Sequence, residues 1–215
     1  MIVMRPVLES YTPDGFDLWP VVEGEPFRLL PLSGALGPVE VGTALMNIAR
    51  CNDIDPEHDA RPPRPAEPLG AFLHGLLTFD TLFAAGGMEV VDDSTGTAFR
   101  PGCCTGLEDW RDWYEVVDGG GGASFGHDPD AFAERLGETV RLTVDAEQHG
   151  SAVIELPVTD MRRLLAGAER DLVGFHALAA DWAAEHLPLG HAGPVTAAVA
   201  RVLDLRLPPY GLYAR

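Results

Sequence analysis

The clearest pattern along the chain is a helical period in its last third. Met161, Leu164, Leu165, Ala168, Leu172, Phe175, Ala179 and Trp182 fall on one stripe, the spacing of an amphipathic helix. It predicts a helix from Thr159, with Thr159 or Asp160 as N-cap, and a stop at Pro188. Gly167 and Gly174 share one side of it and read as a place of close packing. A shorter helix is expected over 194–205, with Val195, Ala198, Val199, Val202 and Leu203 inside.

Earlier segments show shorter patterns. Leu69, Phe72, Leu73, Leu76, Phe79 and Phe83 predict a helix over 69–85, ended by Gly86 and Gly87. Residues 88–91 and 97–100 flank Asp92-Asp93-Ser94-Thr95-Gly96, a hairpin signature. Leu107, Trp110, Trp113, Tyr114 and Val117 step by threes and fours, which predicts a helix edge with Arg111 reaching Glu115. Trp110 is expected to be buried, and Trp182 to pack into the same core or its neighbour. Short strands are expected over 123–126, 139–144 and 152–156. Residues 1–45 read as short strands, at 27–30 and 39–41, with turns at 13–15 and 23–24 and a brief helix over 42–50. The stretch 51–68 combines acidic residues with Pro62, Pro63, Pro65 and Pro68 and reads as an exposed loop. These patterns predict an α+β fold with a mixed or mainly antiparallel sheet and helices packed on it. Residues 1–68 would be an irregular N-terminal extension and 69–215 the core domain, together one folded unit.

Composition changes the picture through charge. The 215 residues carry 33 Asp and Glu against 15 basic residues, a net charge of -18, and every basic residue is Arg. Such a field repels phosphate backbones and anionic membranes and steers the chain toward cationic partners. Nucleic acid and membrane are therefore not expected partners. Apolar content is 46%, so the acids must sit on a folded surface rather than in a disordered tail. Three cysteines, one pair of them adjacent, make a poor disulfide framework, which points to a reducing, cytoplasmic setting. Met1 to Val7 lacks the apolar run of a secretory leader, and no apolar stretch approaches the roughly 20 residues of a membrane span.

Candidate chemistry is sparse. Asp53, Asp55 and Glu57 alternate as in a calcium loop, but His58 stands where Gly is needed and Arg64 where a bidentate Glu belongs. Cys103, Cys104, His127 and Asp128 form an alternative metal set. Zinc sites usually space paired ligands by two to four residues, so the adjacent cysteines read instead as a buried or half-buried pair at a strand end. The two His-Asp dipeptides, at His58 and His127, lie outside any helix interior. The four glycines after Asp118 are followed by no Gly-Lys-Ser/Thr, so they are no phosphate cradle, and no Gly-x-Ser-x-Gly occurs. The scattered histidines at 74, 149, 176, 186 and 191 read as surface or satisfied residues. No catalytic set, cofactor or metal is expected.

One stretch, from Trp110 to Leu172, combines Trp110 with Trp113, Asp118 followed by four glycines, Ser124-Phe-Gly-His-Asp-Pro129, the strand through 139–144 and the helix from Thr159. In that order it resembles the later part of the SUKH superfamily, which includes yeast cell-wall regulators and bacterial toxin-immunity proteins. It implies an α+β fold, no catalytic residues, and a bacterial protein that neutralises a toxin through its surface. The expected function is thus a cytoplasmic acidic protein engaging a basic partner, with Glu108, Asp109, Asp112, Glu115 and Asp118 as the binding face. The alternative is a small-molecule or metal-dependent, hydrolase-like enzyme built on His127, Asp128, Cys103 and Cys104.

Overall fold

The computed structural model of the protein describes residues 1–11, 13, 15–23, 27–54, 61–119 and 121–206. The expected turns at Asp14 and Gly24 lie outside these residues, as do Asp55, Glu57, His58 and Asp59.

Eight described strands form two antiparallel four-stranded sheets. The first has the order β2-β1-β3-β4, with β1 Ile2–Ser10, β2 Arg28–Pro31, β3 Gly86–Asp92 and β4 Thr97–Phe99. The second has the order β5-β6-β7-β8, with β5 Gly122–Ser124, β6 Phe132–Leu136, β7 Thr139–Thr143 and β8 Val153–Pro157. Helices α1 Pro38–Cys51, α2 Pro68–Thr78, α3 Asp112–Gly119, α4 Val158–His186 and α5 Leu189–Val202 complete the expected α+β architecture. No helix among the described residues is long and apolar enough to cross a membrane.

Helix α4 is the spine. Its 29 residues span roughly 43 Å at 1.5 Å per residue, long enough to reach both sheets. It packs on β1 of the first sheet and on β7 and β8 of the second, with α1 and α5 alongside. Its apolar stripe is buried as the period predicts: Met161, Leu165, Ala168, Leu172, Phe175, Ala179 and Trp182. The N-cap is Pro157, with no side-chain bond, rather than Thr159 or Asp160; β8 runs directly into the helix and sets its start. Gly174 is the close approach, its Cα side facing Gly34, whereas a Cβ on Gly167 would meet only Arg170 Nη2 in ordinary contact at 3.8 Å.

The N-terminal segment is not irregular. β1 lies at the centre of the first sheet, pairing with β2 from Val7 to Ser10 and with β3 from Ile2 to Leu8. Pro6 is tolerated there for a local reason. Its carbonyl accepts from Leu32 N at 2.9 Å, so its missing N–H falls on the β2 side and the β3 ladder stays whole. Residues 39–41, expected as a strand, open α1 instead. Pro38 occupies the first helical position, and Glu40 reaches back to Gly37 N at 2.8 Å, a start signal that outweighs the β-propensity of two valines.

Helix α2 stops at Thr78, seven residues short of the expected end. Buried Asn52 takes over the following segment, accepting from Phe83 N at 3.0 Å and donating to Phe83 O at 2.8 Å. The hairpin at 92–96 forms as predicted, with Asp92 opposite Thr97. β6 was not foreseen. α5 begins five residues before the expected start, and Pro194 sits inside it. Trp110 is 2% exposed and belongs to the same core as Trp182; its indole donates to Leu203 O at 2.8 Å. Arg111 does not meet Glu115. It pairs with Glu169 at 3.0 Å and Asp204 at 2.7 Å, tying the segment before α3 to α4 and the end of α5.

Candidate functional site

The site forms where the segment after β4 meets the segment after β5. Cys103 N donates to His127 O at 2.6 Å and His127 N to Cys103 O at 3.2 Å, while Gly102 N donates to Phe125 O at 2.8 Å. The two backbones approach so closely that only glycine fits beside them. A Cβ on Gly102 would collide with the Pro129 carbonyl and lie 2.6 Å from His127 N, and Gly126, at φ +101°, faces Thr105 Oγ1 at 2.5 Å from the same kind of added atom. Beneath this bridge, Phe125 stacks on Trp113 with centroids 4.1 Å apart, and Phe99 closes the cluster edge-on at 5.6 Å from Trp113. Rigid aromatics thus fix the base from which Cys103, Cys104 and His127 project.

Adjacent side chains in a strand point to opposite faces, which is why neighbouring cysteines make an unpromising pair. Here Cys104 takes φ +64°, a left-handed conformation costing an ordinary residue about 1–2 kcal/mol. The turn breaks the alternation and brings the two sulfurs to 3.7 Å. The expected burial of the pair is corrected as well: both cysteines are exposed, because the turn lifts them off the aromatic base. The two sulfurs and a ring nitrogen of His127 all lie within 4.8 Å of one another.

The three groups perturb each other. Hydrogen bonding to His127, and then to Cys103, pulls the Cys104 thiol below its usual range. The same contact with Cys104, followed by Asp128, pushes His127 up. Hydrogen bonding with Cys104 pushes the Cys103 thiol up. His127 Nδ1 lies 3.2 Å from Asp128 Oδ2.

These residues edge a cavity of about 470 Å³, whose other lining includes Asp109, Asp112, Asp130 and Glu147 and no arginine. Two of the five residues expected on the acidic face therefore share one cavity with three of the four expected as alternative metal ligands. Asp128 stands outside it and braces His127. Asp109 and Asp112 are exposed and pair with no described arginine. Burial first, then the charges of Asp109 and Glu115, push the Asp112 carboxyl up.

The rest of the expected acidic face is dispersed. Glu108 turns inward, half-buried, and accepts from Ala84 N at 3.0 Å; burial raises its carboxyl. A helix edge beginning at Leu107 would have exposed it, but Leu107–Asp109 is a single 3-10 turn that rotates it toward the first sheet. Asp118 pairs with Arg162 of α4. Glu115 is exposed but does not line the cavity. Sequence reasoning missed Asp130 and Glu147. Asp130 is placed by a bond from Ser124 Oγ at 3.1 Å, and Glu147 by a turn in which its N–H donates to Asp145 Oδ1 at 3.2 Å. Neither sits at a spacing that signals a site. Among the other histidines, His74 meets Pro62 O at 2.8 Å and His176 meets Thr196 O at 3.2 Å, both inside the core.

In comparisons with known proteins, no family model, no curated protein and no solved structure matches this chain.

Proposed function

We propose that the protein is an acidic binding protein that receives a cationic group of a basic protein partner in the cavity between α3 and the Cys103–His127 bridge. One observation carries this reading: Asp109, Asp112, Asp130 and Glu147 line one cavity that contains no arginine, in a chain of net charge -18. Carboxylates held together without an arginine repel one another, and an arginine or lysine side chain of a partner relieves that repulsion. This reading moves the binding site from an acidic face to the concave surface on which Asp109 and Asp112 lie. The setting proposed is cytoplasmic, in keeping with free thiols. If the SUKH-like segment carries its family's role, the partner is a basic toxin.

The test is capture from the native cell on immobilised protein, with the Asp109→Arg, Asp112→Arg double variant as the comparison. The reading expects a basic protein held by the wild type and lost from the variant, with an association rate that falls steeply as salt rises. Equal retention by both baits would overturn the location.

The second reading, a metal-dependent or small-molecule enzyme, is favoured by the convergence of that cavity on His127 and the two thiols. Its partner would be a small substrate entering the cavity.

A further inference from the structure

We propose that Cys103, Cys104 and His127 form a zinc-binding site on the wall of the acidic cavity, with the fourth coordination position open to it. The inference goes beyond the basic-partner reading and does not depend on it.

The geometry of the sulfurs carries the argument. With zinc–sulfur bonds of about 2.3 Å in a tetrahedral shell, two coordinated sulfurs stand about 3.8 Å apart. The Cys103 and Cys104 sulfurs stand 3.7 Å apart, so the pair already spans a tetrahedral edge. A hydrogen-bonded pair of thiols with no ligand between has no need of a strained backbone, yet Cys104 is held in the left-handed region at φ +64°. Strain of this kind persists where the surroundings over-determine it, and it clusters at ligand clamps. Here the determinants are the backbone bonds between Cys103 and His127 and the glycines at 102 and 126.

The third ligand is equally well placed. A zinc-bound imidazole nitrogen would stand about 3.6 Å from each sulfur, given zinc–nitrogen bonds of about 2.0–2.1 Å. The His127 ring nitrogen lies within 4.8 Å of both sulfurs, and the side chain is exposed, so a small ring movement closes the remaining gap. Asp128 Oδ2 lies 3.2 Å from Nδ1, so the metal is assigned to Nε2, in the carboxylate–histidine arrangement that orients zinc ligands. Two thiolates and one imidazole make a borderline-soft donor set that favours zinc over magnesium or calcium. Each thiol yields its proton on binding. All three residues line the cavity, so water or a group of an incoming ligand completes the shell. Three protein ligands with one open position is the arrangement of zinc sites that act on a ligand rather than merely brace a fold.

The test uses the full chain, reduced with a non-thiol reductant and titrated with zinc alone against a chromophoric chelator. Cobalt substitution reports thiolate coordination by its charge-transfer absorption. One zinc per chain is expected, with thiolate-to-cobalt absorption. Cys104→Ser and His127→Ala should each abolish stoichiometric binding, and Asp128→Asn should weaken it about 10–100-fold. Near-ultraviolet circular dichroism of the Trp113–Phe125 stack checks that each variant is folded. Should a cysteine variant fail to fold, the exposed Asp128→Asn variant still decides the matter. Absence of stoichiometric zinc in the reduced wild type would overturn the proposal, as would zinc retained unchanged by His127→Ala and Asp128→Asn. Zinc loading needs no protein partner, so its failure leaves the basic-partner reading standing, and failure of partner capture leaves the zinc result standing.

Discussion

Two acidic regions of this molecule, both abutting β3, have opposite characters. On β3, Glu89 is 3% exposed and fully answered: Arg5 reaches it at 2.7 Å and Arg100 at 3.0 Å. Asp109, Asp112, Asp130 and Glu147 line a cavity against β3 with no arginine among the lining residues. The first region uses charge to bind the first sheet across β1, β3 and the residue after β4. The second leaves charge available. Where a chain has 33 acids and 15 bases, acid charge is left in excess, and its placement rather than its amount distinguishes a structural site from a receiving one.

The largest test of that contrast lies at the cavity's back wall. Trp110 is buried beside exposed Asp109, and Trp110→Ala should lower stability by about 3–5 kcal/mol, the range for large aromatic deletions in cores. Asp109→Asn should stay within about 0.5 kcal/mol. Chemical denaturation of the two variants checks the pair. An unchanged midpoint for Trp110→Ala would place the indole outside the core.

The next effect separates the two acidic regions directly. Replacing both Arg5 and Arg100 by Ala leaves Glu89 buried without a counter-charge. The cost should reach about 3 kcal/mol, the low end for a broken buried pair, because both guanidinium groups are themselves solvent-exposed. Reversing Asp109 and Asp112 to Arg should change stability by less than about 1 kcal/mol, the favourable contact of Asp112 with the α3 dipole being offset by lost repulsion. Comparable losses in both double variants would dissolve the distinction between paired and receiving acids.

Glu108 lies between the two regions, and its titration sharpens the boundary. Burial raises its carboxyl in the folded state, so its neutral form is favoured on folding. Its contribution is fully present below the ordinary carboxylate range and is lost as pH rises through the folded value. Glu108→Gln, which keeps an acceptor for Ala84 N, should therefore raise the melting temperature at pH 7. The gain should vanish as pH falls below about 4.3, the ordinary glutamate value. Thermal melts of both proteins across that range give the sign.

The smallest effect is within the cavity. Asp112 is pushed up first by burial and next by Asp109, so Asp109→Asn should lower the Asp112 titration midpoint in an NMR titration. An unchanged midpoint would mean that the two carboxylates do not share a field.

The chain's local patterns were legible where a segment makes its own decision. The α4 stripe, the hairpin at 92–96, the burial of Trp110 and the concentration of charge all follow from periodicity, turn chemistry and composition. β1 and β6 were not legible, because Ile2–Ser10 carries a proline and no clean alternation, and only its place between β2 and β3 makes it a strand. The end of α2 was set by Asn52, a partner far from it in sequence.

The site divided in the same way. Sequence supplied its reactive residues: Cys103, Cys104, His127, Asp109 and Asp112 were all singled out, though in two separate groups. Only the tertiary structure joined them, since the bridge between residues 103 and 127 and the packing of α3 beneath it bring both groups to one cavity. It also added Asp130 and Glu147, removed Glu108 and Asp118 from the open face, and turned adjacent cysteines onto one side through a single left-handed residue. The physical reason is range. Helical period, turn propensity and net charge are sums over neighbouring residues or over the whole chain. A site of this kind depends on a few backbone angles and on contacts between segments some twenty residues apart, which no local pattern encodes.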